Sequence, residues 1–184
     1  VLEEALKVIL REKVSLTGAG RTDTGVHSTC YFAHFDSSHH LLHSNKGLVK
    51  RINKYLPCDI AVSEIRKVQK EAHARFSAIS RTYKYFIVTR KDPFRTETAW
   101  YIDYQIDTGL MNEACRILME YSDFTSFARL HSNAKTNICR IYEAAWTHEA
   151  NSVIVFTITA DRFLRNMVRA ITGTMIDVGR GKTS

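Results

Sequence analysis

The stretch IYEAAWTHEANSVIVFTITA, residues 141–160, decides the fold class of this chain. Two runs rich in β-forming residues, 141–149 and 152–160, flank Ala150 and Asn151, and this spacing predicts a β-hairpin with a short turn. The second run is apolar on both faces, so we expect other elements to cover both sides of its sheet. A hairpin of this kind favours an antiparallel sheet at the centre of the fold.

Working outward, apolar stripes of helical period and short β-rich runs predict the remaining elements. Helices are predicted over 1–12, 48–56, 107–121 and 163–179, and further strands over 14–18, 29–36, 59–68, 81–89 and 99–103. Asp107 is predicted to cap the third helix. Because strands follow one another with few helices between them, the pattern predicts an α+β fold, with a mixed, largely antiparallel central sheet flanked by helices. Residues 70–80 follow neither period, and we expect them to hinge two parts, 1–72 and 73–184.

The composition is that of a folded protein, with 184 residues of which 45% are hydrophobic and 24% charged. No apolar run approaches the roughly 18 residues that a membrane span needs. The four cysteines show no CxxC spacing, which predicts free buried thiols in a reducing compartment and therefore a cytoplasmic protein. The net charge of +7 suits a polyanionic partner, although many basic proteins bind no nucleic acid.

A polar, glycine-rich stretch, GAGRTDTGVHS, covers residues 18–28. Its glycines fit a hairpin loop, but a loop alone leaves the adjacent Arg21 and Asp23 unexplained. The DTG tripeptide is typical of aspartic proteases, yet its flanks lack the apolar strand residues that bury their carboxylate pair. The Walker A lysine and the GxGxxG spacing of phosphate-binding loops are also missing. A catalytic carboxylate fits better, because a nearby cation favours the charged form, which acts as nucleophile or base.

The stretch SRTYKYF, residues 80–86, places Tyr83 and Tyr85 on one face of a predicted strand. One interpretation is a pair of half-buried sheet aromatics. The other is a tyrosine ring that stacks on a nucleobase or donates its hydroxyl hydrogen. The pattern alone leaves both open.

Three arginines, Arg162, Arg165 and Arg169, fall on one side of a helical wheel drawn for residues 161–173. Such a face is either solvated or a grip on phosphate or carboxylate, for which the planar guanidinium is suited. A buried arginine at this place is a candidate counter-ion for Asp23.

Two more stretches carry groups that bind ligands in other proteins. HHLLH, residues 39–43, lacks a carboxylate or cysteine at matching spacing, so we do not expect a metal site there. DFTSFARLHSNAKT, residues 123–136, mixes aromatic and basic residues. It is either an RNA contact or a loop over the core.

Four blocks taken together resemble the TruA-type tRNA pseudouridine synthases. They are GAGRTDTGVHS (18–28), RFSAISRTYKYFI (75–87), DFTSFA (123–128) and FLRNMVRAITGTMIDVGRGK (163–182). The first is the most specific of them, with Ser28 in place of the expected alanine. The resemblance implies a pseudouridine synthase fold with its catalytic cleft between two subdomains. It also implies conversion of uridine to pseudouridine at positions 38 to 40 of the tRNA anticodon stem-loop, without metal or cofactor.

The resemblance also assigns roles to four residues. It implies that Asp23 is the nucleophile and that Arg169 is the partner of its carboxylate. It implies that Tyr83 packs on the target base and that Arg21 holds the flipped nucleotide open. The implied assembly is a homodimer in which each tRNA touches both subunits. A catalytically silent RNA-binding module is the alternative, but a pure binder needs no carboxylate facing RNA.

Members of this family carry a strand with a Y-D-G-type block before the first helix, whereas this chain begins inside that helix. We therefore expect a fragment, truncated at its N-terminus. Residues 1–72 then form an N-terminal α/β subdomain with the Asp23 loop. Residues 73–184 form a C-terminal α/β subdomain with Tyr83 and the arginine helix. Whether Asp23 attacks the sugar C1′ or the uracil C6 stays open.

Overall fold

A computed structural model describes residues 1–40, 42–45, 47–129 and 135–183. The chain divides into two units, Val1–Ala78 and Ile79–Ser184, so the division falls a few residues after the predicted one at residue 72. Within the described ranges, no helix is long and apolar enough to cross a membrane.

The N-terminal unit combines two helices with a short antiparallel strand pair. Its elements are α1 (Leu2–Leu10), β1 (Thr17–Gly18), β2 (Ala33–His34) and α2 (Leu48–Tyr55), with β1 paired to β2. Both predicted helices are confirmed, and the predicted strands 14–18 and 29–36 are shorter than expected. The apolar sides of the helices form one core with two residues that follow them, and its members are Ala5, Leu6, Leu10, Val14, Leu48, Ile52 and Leu56.

The predicted strand over residues 59–68 is wrong, because this segment pairs with no strand in the part of the chain that the structure describes. The side chain of Asn53 takes the place of a neighbouring strand. Its Nδ2 donates to the Val62 carbonyl at 2.8 Å, and its Oδ1 accepts from the Val62 amide at 2.7 Å. A helix side chain thereby satisfies both backbone groups of Val62.

The C-terminal unit is built on a four-stranded mixed sheet with two helices. Its elements are β3 (Arg81–Val88), β4 (Trp100–Tyr101), α3 (Thr108–Glu120), β5 (Ile141–Glu149), β6 (Val153–Ala160) and α4 (Met167–Gly179). The strand order is β4-β3-β6-β5, in which β6 is antiparallel to both neighbours and β4 is parallel to β3. The predicted α+β class is confirmed. The predicted hairpin is confirmed as well, with a 3-10 turn over Ala150–Ser152 as its connection.

Strand β6 contributes to two apolar clusters, as expected for a strand that is apolar on both faces. Ile154, Phe156 and Ile158 lie in the main core, and Val153 and Val155 lie in a smaller cluster. The Trp146 ring on β5 stacks on Phe156, with ring centroids 4.7 Å apart. Residues from α3 and α4, among them Met111, Cys115, Met167 and Ile171, complete the main core.

Two of the four cysteines differ from the expected buried thiols. Cys115 and Cys139 are buried, but Cys30 and Cys58 are exposed, and all four are unpaired. Burial raises the pKa of the Cys115 thiol to about 11, so this thiol stays protonated at neutral pH.

Helix α3 begins at a second DTG tripeptide, residues 107–109. The Asp107 carboxylate accepts from the Gly109 amide at 2.8 Å and from the Leu110 amide at 3.1 Å, which confirms the predicted cap. The Asp107 amide donates to the Gly179 carbonyl at 2.8 Å, which joins the start of α3 to the end of α4. The carboxylate of this DTG is therefore used as a helix cap.

We expect Gly179→Ala to lower the free energy of unfolding by about 1–3 kcal/mol through overpacking. A Cβ at this position would lie 2.5 Å from the Met111 sulfur and 3.3 Å from the Asp107 carbonyl oxygen. Gly173→Ala is the matched control, because it lies in the same helix with nothing within 4 Å of the added carbon. The control should gain about 0.5–1 kcal/mol from helix propensity. Urea unfolding measures both, and equal stabilities would contradict the close approach.

Candidate active site

The loop between β1 and β2 carries two of the predicted site residues, Arg21 and Asp23, and both are exposed. Asp23 opens a turn in which the Val26 amide donates to the Asp23 carbonyl at 3.3 Å. Gly25, the third residue of that turn, has a φ of 83°, which only glycine adopts without strain. The glycine of the DTG tripeptide is thus explained by the turn that follows the carboxylate.

Tyr31 fastens the base of this loop. Its hydroxyl accepts from the Gly20 amide at 3.2 Å and donates to the Gly20 carbonyl. The Ala19 amide donates to the Phe32 carbonyl at 2.9 Å beside it. A Cβ at Gly18 would lie 2.5 Å from the Tyr31 hydroxyl oxygen, so the first glycine of the motif makes room for this ring. Sequence reasoning missed Tyr31, because no local spacing links it to the loop that it holds.

Tyr83 lies on β3 of the C-terminal unit, half-buried against the main core. Its ring meets Phe163 edge to face, with centroids 5.1 Å apart and an interplanar angle of 89°. Tyr85 shares the strand face and packs against the same core. The interpretation as half-buried sheet aromatics therefore holds for both rings, and base stacking by Tyr83 stays a prediction.

Arg169 lies in the first turn of α4 and is exposed rather than buried. Its Nε donates to the Asn166 Oδ1 at 2.9 Å. The helix begins at Met167 and not near residue 163, because Asn166 adopts a φ of 69°, which an α-helix does not admit. The predicted arginine face is therefore wrong: Arg162 and Arg165 precede the helix.

The segment between β6 and α4, residues 161–166, is here called the β6–α4 connection. Its first residue, Asp161, accepts with Oδ1 from the Arg140 amide at 2.8 Å and from the Arg162 amide at 2.7 Å. The Arg81 side chain donates to the Asp161 carbonyl at 3.1 Å. These bonds fasten the connection to the starts of β3 and β5.

The β6–α4 connection supports both predicted site residues of the C-terminal unit. It contributes Phe163, which packs on Tyr83, and Asn166, which binds Arg169. Sequence reasoning missed both supporting residues, although the spacing of three between Asn166 and Arg169 is a recognisable helix-surface pair.

The four predicted residues thus form two groups, one in each unit. Arg21 and Asp23 share one loop of the N-terminal unit, whereas Tyr83 on β3 and Arg169 on α4 both contact the β6–α4 connection of the C-terminal unit. The pairing of Asp23 with Arg169 stays a prediction.

The histidine stretch 39–43 is in part explained by local contacts. His39 Nε2 lies 3.0 Å from the Leu10 carbonyl oxygen and 3.8 Å from a Glu12 carboxylate oxygen. Hydrogen bonds from Ser37 and Ser38 lower the pKa of that Glu12 carboxyl. Leu41 lies outside the described residues. Among those that are described, no three His, Cys, Asp or Glu side chains are arranged to hold a metal ion.

The stretch 123–136 is described only up to residue 129 and from residue 135 onward. At its start the Asp123 carboxylate accepts from the Thr125 hydroxyl at 2.6 Å and from the Thr125 amide at 2.9 Å. These hydrogen bonds lower the pKa of Asp123. Phe124 is buried in the main core, so the beginning of this stretch covers the core. Whether its remainder contacts RNA stays a prediction.

We expect Tyr31→Phe to raise the hydrogen-exchange rate of the Gly20 amide about fivefold, since one hydrogen bond contributes ~1 kcal/mol. NMR of the folded protein measures this rate residue by residue. Tyr55→Phe is the control, because Tyr55 is an exposed tyrosine of α2 in the same unit. Equal Gly20 exchange rates in the two variants would show that the Tyr31 hydroxyl does not hold the loop.

Comparison with known proteins assigns the chain to a family. The sequence profile of a family described as tRNA pseudouridine synthase matches residues 114–184. The tRNA pseudouridine synthase A of Azobacteroides pseudotrichonymphae is 53% identical over 100% of this chain and 72% of its own length. That of Parabacteroides distasonis is 52% identical over 98% of this chain and 71% of its own length, and that of Bacteroides fragilis is 51% identical over 100% and 72%. The chain belongs to the tRNA pseudouridine synthase A family.

Proposed function

We propose that this chain converts uridine to pseudouridine in tRNA, with the uridines at positions 38 to 40 of the anticodon stem-loop as targets and Asp23 as nucleophile. The observation that carries the activity is the identity of about half of all residues with tRNA pseudouridine synthases A along the whole chain. The loop that bears Asp23 supports the assignment of the nucleophile. Its base is fixed by Tyr31, and its turn begins at Asp23 itself.

The reaction is an isomerisation. The bond between uracil N1 and the ribose C1′ breaks, the base rotates, and a bond between C5 and C1′ forms. The C5 hydrogen leaves as a proton and N1 gains one, so no electrons are exchanged with another molecule and no cofactor is required. A carboxylate serves as the covalent catalyst in such a reaction, because it adds to carbon and later departs. Attack at C1′ and attack at C6 are both compatible with Asp23.

A uridine within the stem-loop has to leave its stack before a carboxylate can reach it, which costs a few kcal/mol. In the proposal, the Tyr83 ring stacks on the flipped uracil. Stacking of a base on an aromatic ring contributes about 1–3 kcal/mol, which offsets much of that cost. The edge-to-face contact with Phe163 supports this role, because it fixes the plane of the Tyr83 ring. Arg21, close to Asp23 in the same loop, is proposed to fill the gap left in the RNA.

Arg169 is proposed to pair with the Asp23 carboxylate and hold it ionised and oriented. A guanidinium and a carboxylate form two parallel hydrogen bonds, which fix both position and direction. The exposed position of Arg169 and the bond at its Nε support this role. The proposal thus requires residues from both units to act on one uridine, in the cleft that the resemblance implies.

For the assembly we propose a cytoplasmic homodimer in which each tRNA contacts both subunits. The net charge of +7 supports binding to the phosphate backbone. Affinity for tRNA should then fall as the salt concentration rises. Protein binding releases counterions from the RNA, and this release is less favourable at high salt.

Asp23→Asn should reduce pseudouridine formation at least ~10⁴-fold while tRNA binding is retained, because the amide keeps the shape but loses the nucleophile. The measurement is tritium release from tRNA that carries [5-³H]uridine. Asp59→Asn is the control, since Asp59 is exposed in the same unit. Release by Asp23→Asn at the parental rate would remove Asp23 from the mechanism. Binding without release by the parental chain would instead favour the silent RNA-binding module.

Arg169→Lys should lower kcat for tritium release roughly 10- to 100-fold, because an ammonium group cannot reproduce two parallel hydrogen bonds. Arg116→Lys is the matched control, being the same change at an exposed position of α3. A fully active Arg169→Lys variant would show that Arg169 is only a surface charge.

A further inference from the structure

We infer that Asn166 is a positioning residue of the pseudouridylation site, whose side-chain amide fixes the Arg169 guanidinium in the orientation that meets the Asp23 carboxylate. This inference rests on the proposed role of Arg169. The contact that carries it is the hydrogen bond from Arg169 Nε to Asn166 Oδ1 at 2.9 Å.

Asn166 departs from what a residue before a helix ordinarily does. Such a residue usually has an extended backbone, and its side chain accepts from an amide of the first turn. Asn166 instead has φ 69° and ψ −3°, and its side chain makes no capping bond. Its Oδ1 accepts from a functional side chain in place of the helix backbone. Helix α4 thus lacks the stabilisation that a side-chain cap supplies, and the Asn166 side chain binds Arg169 instead.

The left-handed backbone conformation restricts which residue types are suitable at position 166. Among residues with a side chain, asparagine and aspartate adopt this conformation most readily. Of these two, asparagine offers a neutral acceptor. An aspartate at the same place would hold the guanidinium with a second carboxylate, in competition with Asp23. Asparagine therefore adopts the required backbone conformation and also offers a neutral acceptor. Its amide binds the Arg169 guanidinium without neutralising the positive charge.

The bond at Nε also selects how Arg169 meets a carboxylate. A guanidinium pairs bidentately either through Nε and one terminal nitrogen or through both terminal nitrogens. Nε carries a single hydrogen, and Asn166 takes it. The geometry that Asn166 leaves to the carboxylate is the end-on pair through Nη1 and Nη2. The same bond restricts the long arginine side chain before substrate arrives, so less rotamer freedom is lost on pairing.

The neighbours of Asn166 hold its backbone in place. Leu164 and Met167 are buried on either side, and the Met167 amide donates to the Leu164 carbonyl at 3.1 Å. The Arg165 carbonyl accepts from the Arg129 amide at 3.0 Å. The Ala170 amide donates to the Asn166 carbonyl at 3.0 Å, which closes the first turn of α4. The Asn166 amide group is therefore carried by a fixed backbone, as a positioning residue requires.

Asn166→Gly tests the side chain separately from the backbone, because glycine adopts positive φ and is tolerated before a helix. We expect kcat for tritium release to fall roughly 10- to 100-fold, with KM for tRNA and the unfolding midpoint nearly unchanged. Asn166→Asp, which keeps both the backbone and an acceptor, should also lose kcat through competition with Asp23. A merely structural role would shift the unfolding midpoint and spare kcat.

A double-mutant cycle separates this inference from the proposed function. In an Arg169→Ala background, Asn166→Gly should cause no further loss of kcat, because the two residues act as one unit. Full kcat in Asn166→Gly, or the same loss with and without Arg169, would overturn the inference while Arg169→Ala stays impaired. A fully active Arg169→Ala would overturn the proposed role of Arg169 itself, and the inference with it.

Discussion

The C-terminal part of the candidate site depends on the hydrogen bonds that fix the chain where it leaves β6. There one carboxylate oxygen of Asp161 accepts from the backbone amides of Arg140 and Arg162. An ionised acceptor makes stronger hydrogen bonds than a neutral one, so this contact sets the direction of the β6–α4 connection firmly. The connection in turn places Phe163 against Tyr83 and Asn166 against Arg169. Asp161, for which no chemical role is proposed, thereby supports Tyr83 and Arg169, for which such roles are proposed.

Elements whose cause is local were predictable from the sequence. The hairpin over 141–160 and the Asp107 cap depend on neighbours a few residues away, and the structure has both. The strand expected over 59–68 does not form, and within this segment the side-chain amide of Asn53 binds both backbone groups of Val62. Apolar periodicity predicts too early a start for α4, because it does not reveal the left-handed backbone at Asn166.

The candidate site, too, has residues that the sequence predicts and residues that it does not. A motif predicts which residues carry chemistry, because their types and order are specific to it. Two of the residues that hold them in place, Tyr31 and Phe163, are separated along the chain from the groups that they contact. Tyr31 contacts Gly20 across a loop, and Phe163, which follows β6, contacts Tyr83 on the paired strand β3. Such pairs leave no periodic trace in the sequence, so only the fold reveals them.

The two groups of site residues are supported in different ways, and the proposed reaction explains why. Backbone hydrogen bonds of the Asp23 loop lie at its base and at the turn, and the loop residues themselves are exposed. Arg169 stands instead on a helix whose first residue, Met167, is fully buried. A nucleophile that forms and breaks a bond to carbon has to follow the reacting atom, whereas the group that orients it acts best when it is already fixed. Under the proposed roles, the carboxylate of Asp23 lies on a loop and Arg169 lies on an anchored helix, which meets both demands.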